Sequence, residues 1–172
     1  LTLPSREPLS PLAKNSGGNS SSDQSSKGNA EPTEAGTVLN PLNGLMYTKD
    51  QAKIWQSRRP LAVLVNNSVE ARPQFGLSQA DLVYEVNAEG GIPRLMPIFL
   101  SRTPDKVGSI RSIRVYFVDF AKEYDAWLAH WGGAQVDPNN PAVADPQADA
   151  YNRMRTIFVS SIDETKNGDG DG

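Results

Sequence analysis

The feature that most constrains this chain is a stretch near its N-terminus with almost no apolar surface. Residues 15–29 comprise six serines, three glycines and three asparagines among fifteen positions. Such a segment buries too little surface to offset the backbone entropy that ordering would cost. We therefore predict a disordered tether over residues 1–37, an ordered domain over residues 38–162 and a disordered tail over residues 163–172.

The first half of the predicted domain contains a helix, a strand and a hairpin. Thr48 is positioned to cap a short helix that includes Ile54 and Trp55, and residues 61–65 (LAVLV) are apolar throughout, as in a strand covered on both faces. Residues 81–87 alternate between apolar and polar positions, and residues 92–100 return after a Gly-Gly turn. This pattern predicts an antiparallel hairpin.

The returning strand contains Pro93 and Pro97, which have no amide donor. Prolines are confined to edge strands or bulges of a sheet. We therefore expect this strand at a sheet edge or around a bulge.

The second half of the predicted domain contains the clearest amphipathic helix. Ser112 is a suitable N-cap, and the residues that follow form one apolar face at helical spacing: Ile113, Phe117, Phe120, Ala121 and Tyr124. A strand is predicted over residues 126–131, a helix near 142–150 and a strand at 156–160. The predicted fold class is α/β (mixed α+β), with a central sheet, at least one antiparallel hairpin and flanking helices.

Composition excludes several classes of function. Seventeen basic residues against twenty acidic ones give a net charge of −3, which does not favour binding to nucleic acid. The absence of cysteine excludes disulfides, thiolate metal sites and a cysteine nucleophile, and a single histidine disfavours a multi-histidine metal site. The aspartates near the C-terminus lack the twelve-residue loop of an EF-hand. The sequence indicates neither a metal nor a cofactor.

Several phrases occur in an order typical of one family. They are PLNGL (41–45), RPLAV (59–63), ARPQFGLSQADLVYE (71–85), EGGIPR (89–94), VGSIRSIR (107–114), KEYD (122–125) and GG (132–133). In these phrases the chain resembles the N-terminal part of the DUF3048 family, the YerB-like bacterial lipoproteins.

The resemblance implies a bacterial, extracytoplasmic protein of the cell envelope, anchored in the membrane by a lipid on an N-terminal cysteine. The chain contains no cysteine, so the membrane contact would depend on a lipid that this chain lacks. The family has no established biochemical activity. The resemblance also implies that the 38–162 domain is incomplete, because family members continue with a second half.

Three residues are candidates for acid–base chemistry: His130, Glu85 and Glu89. His130 ends a strand-like run before two glycines, and an unperturbed histidine can act as acid or base near neutral pH. In an extended strand Glu85 and Glu89 would lie about 13 Å apart, too far for a glycosidase pair. Packed or solvated side chains remain the alternative for all three.

Four residues are candidates for binding an anionic ligand: Arg111, Arg114, Ser112 and Arg94. Two guanidiniums, a hydroxyl and the amides of a helix start suit a carboxylate or phosphate. For Arg111 and Arg114 we nevertheless expect an internal ion pair with Asp81, Glu85 or Glu89, and a ligand site is the alternative.

The sequence thus predicts an envelope domain that binds an anionic or cell-wall ligand or another partner. The alternatives are a cell-envelope hydrolase that uses His130 with a carboxylate, and a structural assembly partner.

Overall fold

The computed structural model describes residues 28–137, 139–140 and 145–167, except the side chains of Glu89, Lys166 and Asn167. A central six-stranded sheet is accompanied by helices and by a small two-stranded unit. That unit pairs β1 (Val38–Leu39) with β2 (Met46–Tyr47) in antiparallel fashion. The predicted fold class is confirmed: the chain has mixed helix and strand content, an antiparallel hairpin and flanking helices.

The first helix, α1 (Lys49–Gln56), begins as the sequence predicts. Thr48 Oγ1 accepts from the amide of Gln51, and Gln51 Oε1 accepts from the amide of Thr48. This reciprocal capping satisfies two amides at the helix start. Trp55 and Ala52 then bury one face of α1 against Tyr47.

The central sheet combines parallel and antiparallel strands. Its members are β3 (Leu61–Val63), β4 (Val65–Asn66), β5 (Leu82–Asn87), β6 (Pro93–Phe99), β7 (Trp127–His130) and β8 (Ser161–Asp163). Strand β6 pairs antiparallel with β5 on one side and with β3 and β4 on the other. Ile98 of β6, for example, lies opposite Leu82 of β5 and opposite Ala62 of β3. Strands β3, β7 and β8 are parallel to one another.

The predicted hairpin is confirmed as β5 and β6. Six consecutive pairs join the two strands, from Leu82 opposite Ile98 to Asn87 opposite Pro93. Leu82, Tyr84 and Val86 pack on the main core, and the intervening residues of β5 are exposed. Gly90 has a φ of 73° at the turn, a backbone conformation that glycine adopts without steric cost.

The expected edge position of the proline-containing strand is wrong, because β6 lies inside the sheet. The register of the ladder is the same on both sides of the break between β3 and β4, since Ala62 pairs with Ile98 and Val65 pairs with Leu95. The break therefore lies opposite Met96 and Pro97. The amide of Leu64, which lies in that break, donates to the carbonyl of Ala129 on β7. The missing donor of Pro97 thus appears as a gap in the ladder, with no bulge and no edge.

Helix α2 (Val115–Glu123) starts later than the sequence predicts. Its N-cap is Arg114, with extended φ and ψ of −128° and 158°, and not Ser112. The reason is that Ile113 is held in a β-like pairing: its amide donates to Gly132, and its carbonyl accepts from Ala134. Residue 113 therefore contributes to the core from outside the helix.

The elements after β7 also differ from the prediction. Helix α3 (Ala150–Ile157) begins where the predicted helix near 142–150 ends, and residues 141–144 lie outside the described residues. Asp149 caps α3 by accepting from the amide of Asn152, which fixes the later start. The predicted strand at 156–160 is wrong, because α3 extends to Ile157 and Phe158 ends it with a φ of 56°. The strand that follows is β8.

Three apolar clusters hold these elements together. The largest lies on the face of the sheet covered by α2 and α3, and includes Leu64, Met96, Ile98, Phe117 and Leu128. A second cluster packs Val63, Val65, Phe99 and Ala129 on the other face. The third joins α1 to Leu100 at the end of β6.

Parts of the predicted tether and tail contact the domain. Residues 1–27 lie outside the described residues, but Ala30 is buried and its amide donates to the carbonyl of Ser101. At the other end, Asp163 is the buried last residue of β8, and α4 (Glu164–Asn167) follows it. Within the part of the chain that the structure describes, no helix is both long and apolar enough to span a bilayer.

Candidate functional site

The candidate site lies at the carboxyl ends of the parallel strands β3, β7 and β8. In α/β sheets this end is where ligands usually bind. His130 ends β7 directly opposite Asp163, which ends β8. The segment of residues 108–114, which we call the bridging segment, crosses the same end of the sheet between β4 and β7.

His130 is fully buried at this end of the sheet. Its Nδ1 donates to the carbonyl of Gly132 at 2.9 Å and lies 3.8 Å from Asp163 Oδ1. The ring also makes an edge contact with Tyr151, with 5.9 Å between ring centroids. A side chain enclosed in this way supports the Gly132 turn and is not presented to a substrate.

Asp163, the carboxylate beside His130, is held by several hydrogen bonds. It accepts from the Tyr151 hydroxyl at 2.7 Å, from the Thr165 hydroxyl at 2.7 Å and from the amides of Gly132 and Thr165. Burial alone would raise the pKa of Asp163, but the hydrogen bonds from Tyr151, Thr165 and Gly132 outweigh burial and lower that pKa to about 2. Asp163 is therefore ionised at neutral pH.

Tyr151 remains protonated in the same environment. Its burial, together with the hydrogen bond to Asp163, raises the pKa of Tyr151 to about 12. The hydroxyl therefore serves as a permanent donor. Tyr151, Asp163 and His130 form a network that fixes the positions of β7, β8 and α3 relative to one another.

Backbone hydrogen bonds hold the bridging segment on the sheet. The amide of Arg111 donates to Leu64, and the carbonyl of Arg111 accepts from Trp131. Two residues later Ile113 pairs with the glycine turn that follows β7. The segment is thus fixed from both sides.

The structure brings together the four predicted anion-binding residues, but in different roles. Arg94 is buried on β6 and donates to the carbonyl of Ser112. Arg114 is half-buried and donates to the carbonyl of Ile113 at 2.8 Å. Arg111 is exposed, and no hydrogen bond or ion pair joins its guanidinium to another described residue. Arg94 and Arg114 therefore support the bridging segment from beneath, and Arg111 faces the solvent.

The predicted internal partners of these arginines lie elsewhere. The Asp81 carboxylate accepts from Asn40, Asn43 and Ser101 at the opposite end of β6. Glu85 is exposed and contacts Asn67 Nδ2 at 3.5 Å. The Glu89 side chain lies outside the described residues.

The structure also separates His130 from Glu85. Strands β6 and β3 lie between β7 and β5, so at a strand spacing of about 4.8 Å the two backbones are about 14 Å apart. His130 lies on the face of the sheet covered by α2 and α3, because Leu128, two residues earlier on the same strand, packs on that face. Glu85 lies on the opposite face, because its neighbour Tyr84 packs on the main core. The structure therefore does not bring His130 and Glu85 together.

Sequence reasoning missed the role of Tyr151 and assigned Asp163 to the tail. A local signal was present, since Asp163 precedes Thr165 by two positions and accepts from both its amide and its hydroxyl. Within the described residues, no cluster of three or more His, Asp or Glu side chains could hold a metal ion.

Comparisons with known proteins agree on one family. A family model described as "Protein of unknown function (DUF3048) N-terminal domain" matches residues 42–166. "Putative lipoprotein YerB" from Bacillus subtilis is 47% identical over 103 residues, which cover 60% of this chain and 30% of that protein.

A crystal structure of the YerB protein from Bacillus subtilis is similar with a TM-score of 0.61 and 35% identity. The match covers 78% of this chain and 40% of the YerB chain. The chain thus spans less than half the length of the relatives it matches.

Proposed function

The chain belongs to the DUF3048 family through its N-terminal domain, and from that premise we propose that it is a lipid-anchored, extracytoplasmic domain that binds an anionic group of a cell-envelope ligand. The name of the Bacillus relative supports the location, because that protein is described as a lipoprotein. The proposed binding surface is the bridging segment at the carboxyl ends of β3, β7 and β8.

One observation carries the proposal. Arg111 presents an exposed guanidinium from a segment that is hydrogen-bonded on both sides, and no described acidic side chain pairs with it. A guanidinium offers a planar set of donors that matches a carboxylate or phosphate. Arg94 and Arg114 add positive charge to the same segment while they hold its carbonyls.

The neighbouring aromatic side chain suits a ligand with an apolar face. Trp131 is 54% exposed, and its amide donates to the carbonyl of Arg111. The exposed indole of Trp131, a residue joined to Arg111 by a backbone hydrogen bond, offers an apolar face to the ring of a sugar that bears an acidic group. We therefore expect an acidic saccharide or a phosphate-bearing envelope polymer as the ligand class.

The test is binding of N-acetylmuramic acid and of inorganic phosphate at constant ionic strength, measured by calorimetry and by melting temperature. Arg111→Ala should weaken the binding of both probes by about tenfold, the loss expected for a charge-assisted hydrogen bond. It should not lower the melting temperature without ligand, because no described residue pairs with the side chain.

The matched control is Arg155→Ala, which removes an exposed arginine from α3. Equal effects of the two substitutions would indicate a general charge effect and would refute a site at Arg111. Absence of saturable binding by either probe would refute the proposed ligand class.

A further inference from the structure

We propose that the protein carries a second binding site, for an amphiphilic cation, in a cleft at the amino ends of β3 and β7. The cleft has a volume of about 490 Å³, which is within the range of small-molecule pockets. Pro60 and Asp125, which precede β3 and β7, lie in its wall. Because β3 and β7 are parallel, the cleft lies at the opposite end of these strands from the anionic-ligand site.

The wall of the cleft contains a substantial apolar part. Trp55 and Leu100 are buried side chains of the α1 cluster, and both line the cleft. Leu42 packs against the α1 cluster and against the main core, so it joins the two at this point. This surface suits the aliphatic or aromatic body of a ligand.

The polar part of the cleft contains two carboxylates and the C-terminal ends of two helices. Gln56 and Glu123, the last residues of α1 and α2, both line it, and the C-terminal end of a helix carries partial negative charge. The Glu123 carboxylate is exposed and makes no hydrogen bond or ion pair with any described residue. Asp125 adds a second carboxylate, whose Oδ1 lies 3.0 Å from the guanidinium of Arg59.

Arg58, the cationic side chain among the described residues that line this cleft, is already engaged. Its Nε donates to the carbonyl of Leu100 at 2.9 Å, and its Nη1 donates to Thr103 Oγ1 at 2.8 Å. The Asp81 carboxylate also interacts with the charge of Arg58. The protein thus compensates Arg58 internally, and Glu123 remains available to a cationic ligand.

Trp55 supplies a second, independent indication that this cleft binds a ligand. Its indole N–H is buried, and no hydrogen-bond acceptor for it occurs within the described residues. Buried donors are nearly always paired. Because this nitrogen has no exposed surface, a ligand in the cleft reaches it only if the indole shifts on binding. A ligand with an amide carbonyl beside its cationic group would then supply the acceptor, which favours a basic peptide unit over a simple amine.

The test uses Trp55 as the reporter. The chain has three tryptophans, so replacing the exposed Trp127 and Trp131 by phenylalanine leaves Trp55 as the only tryptophan. The cationic probes are 4-phenylbutylamine and acetyl-Phe-Lys-methylamide, and the controls are 4-phenylbutyrate and 4-phenylbutanol. Both cationic probes should change Trp55 emission saturably, the peptide more tightly than the amine, and the controls should bind more weakly.

Glu123→Gln should weaken binding of 4-phenylbutylamine by about fivefold, the upper range for an exposed ion pair. The matched control Glu70→Gln removes an exposed carboxylate elsewhere and should leave that binding unchanged. Equal binding of amine, acid and alcohol would overturn the charge argument, and absence of saturation by both cationic probes would overturn the site. A peptide that binds no more tightly than the amine would overturn the role of the Trp55 N–H.

Discussion

Replacing Asp163 by asparagine removes the negative charge at the centre of the Tyr151–Asp163–His130 network. The pKa of Asp163 lies at about 2 in the folded protein, against 3.8 for an unperturbed aspartate. A difference of one pKa unit corresponds to about 1.4 kcal/mol, so the folded state favours the charged carboxylate by about 2 kcal/mol. With asparagine standing in for the neutral acid, Asp163→Asn should lower the free energy of unfolding by that amount at neutral pH.

The same pKa difference predicts how the effect depends on pH. The carboxyl group has a lower pKa in the folded state than in the unfolded state, so its contribution is fully present above the unfolded value of 3.8. That contribution is lost as the pH falls through about 2. The stability difference between the wild-type protein and Asp163→Asn should therefore shrink steadily across this acidic window.

The assay is thermal unfolding by circular dichroism, from neutral pH down into the acidic window. A loss of 2 kcal/mol should lower the melting temperature of a domain of this size by about 6 °C. Asp119→Asn is the control, since Asp119 forms a surface ion pair with Arg153 at 2.8 Å and both side chains are 43% exposed. That pair should contribute less than about 1 kcal/mol.

The reasoning would be refuted if Asp163→Asn and the wild-type protein lost stability in parallel over the whole acidic range. If Asp163→Asn fails to fold, Tyr151→Phe provides a milder variant. It removes only the 2.7 Å hydrogen bond to Asp163 and should lower the free energy of unfolding by about 1–2 kcal/mol. No change in that variant would contradict the account of the network.

Two further substitutions test the packing of the fold. Gly133→Ala should destabilise the protein by more than about 2 kcal/mol in urea unfolding, because a Cβ there would lie 2.4 Å from Ile113 Cγ2. The control is Gly44→Ala, where no atom lies within 4 Å of the added Cβ and the expected cost is only about 1 kcal/mol of backbone strain. Equal costs of the two substitutions would contradict this packing argument. Asn43→Ala removes the 2.7 Å hydrogen bond to Asp81 and should lower the free energy of unfolding by about 1–3 kcal/mol, whereas an unchanged urea midpoint would show that this contact is not stabilising.

Local signals in the sequence predicted the elements whose causes are local. The capping of α1 depends on Thr48 and Gln51, three residues apart, and the alternation of β5 is visible within seven positions. Both predictions are confirmed because the determining contacts lie inside the window that a sequence pattern spans.

The failures have long-range causes. Pro97 lies inside the sheet, at a gap in the ladder opposite the break between β3 and β4, which belong to a distant segment of the chain. The late start of α2 depends on Ile113 and Gly132, nineteen positions apart in the sequence. No pattern around either residue reveals the partner that decides its conformation.

The candidate site was predictable in composition but not in the roles of its members. The cluster of arginines in VGSIRSIR indicated positive charge at one place, and the structure puts Arg111 and Arg114 on the bridging segment and Arg94 beneath it on β6. Which guanidinium is exposed depends on the sheet beneath, so the sequence could not distinguish Arg111 from the two supporting arginines.

The attachment of the bridging segment has a consequence for the kinetics of ligand capture. Because Arg111 is held through its amide by Leu64 and through its carbonyl by Trp131, only its side chain loses freedom when a ligand binds, at an entropic cost of about 1 kcal/mol. The backbone is preorganised, so association needs no loop closure. We expect a single exponential phase whose rate rises linearly with ligand concentration, and affinities among ligands should differ mainly in their dissociation rates.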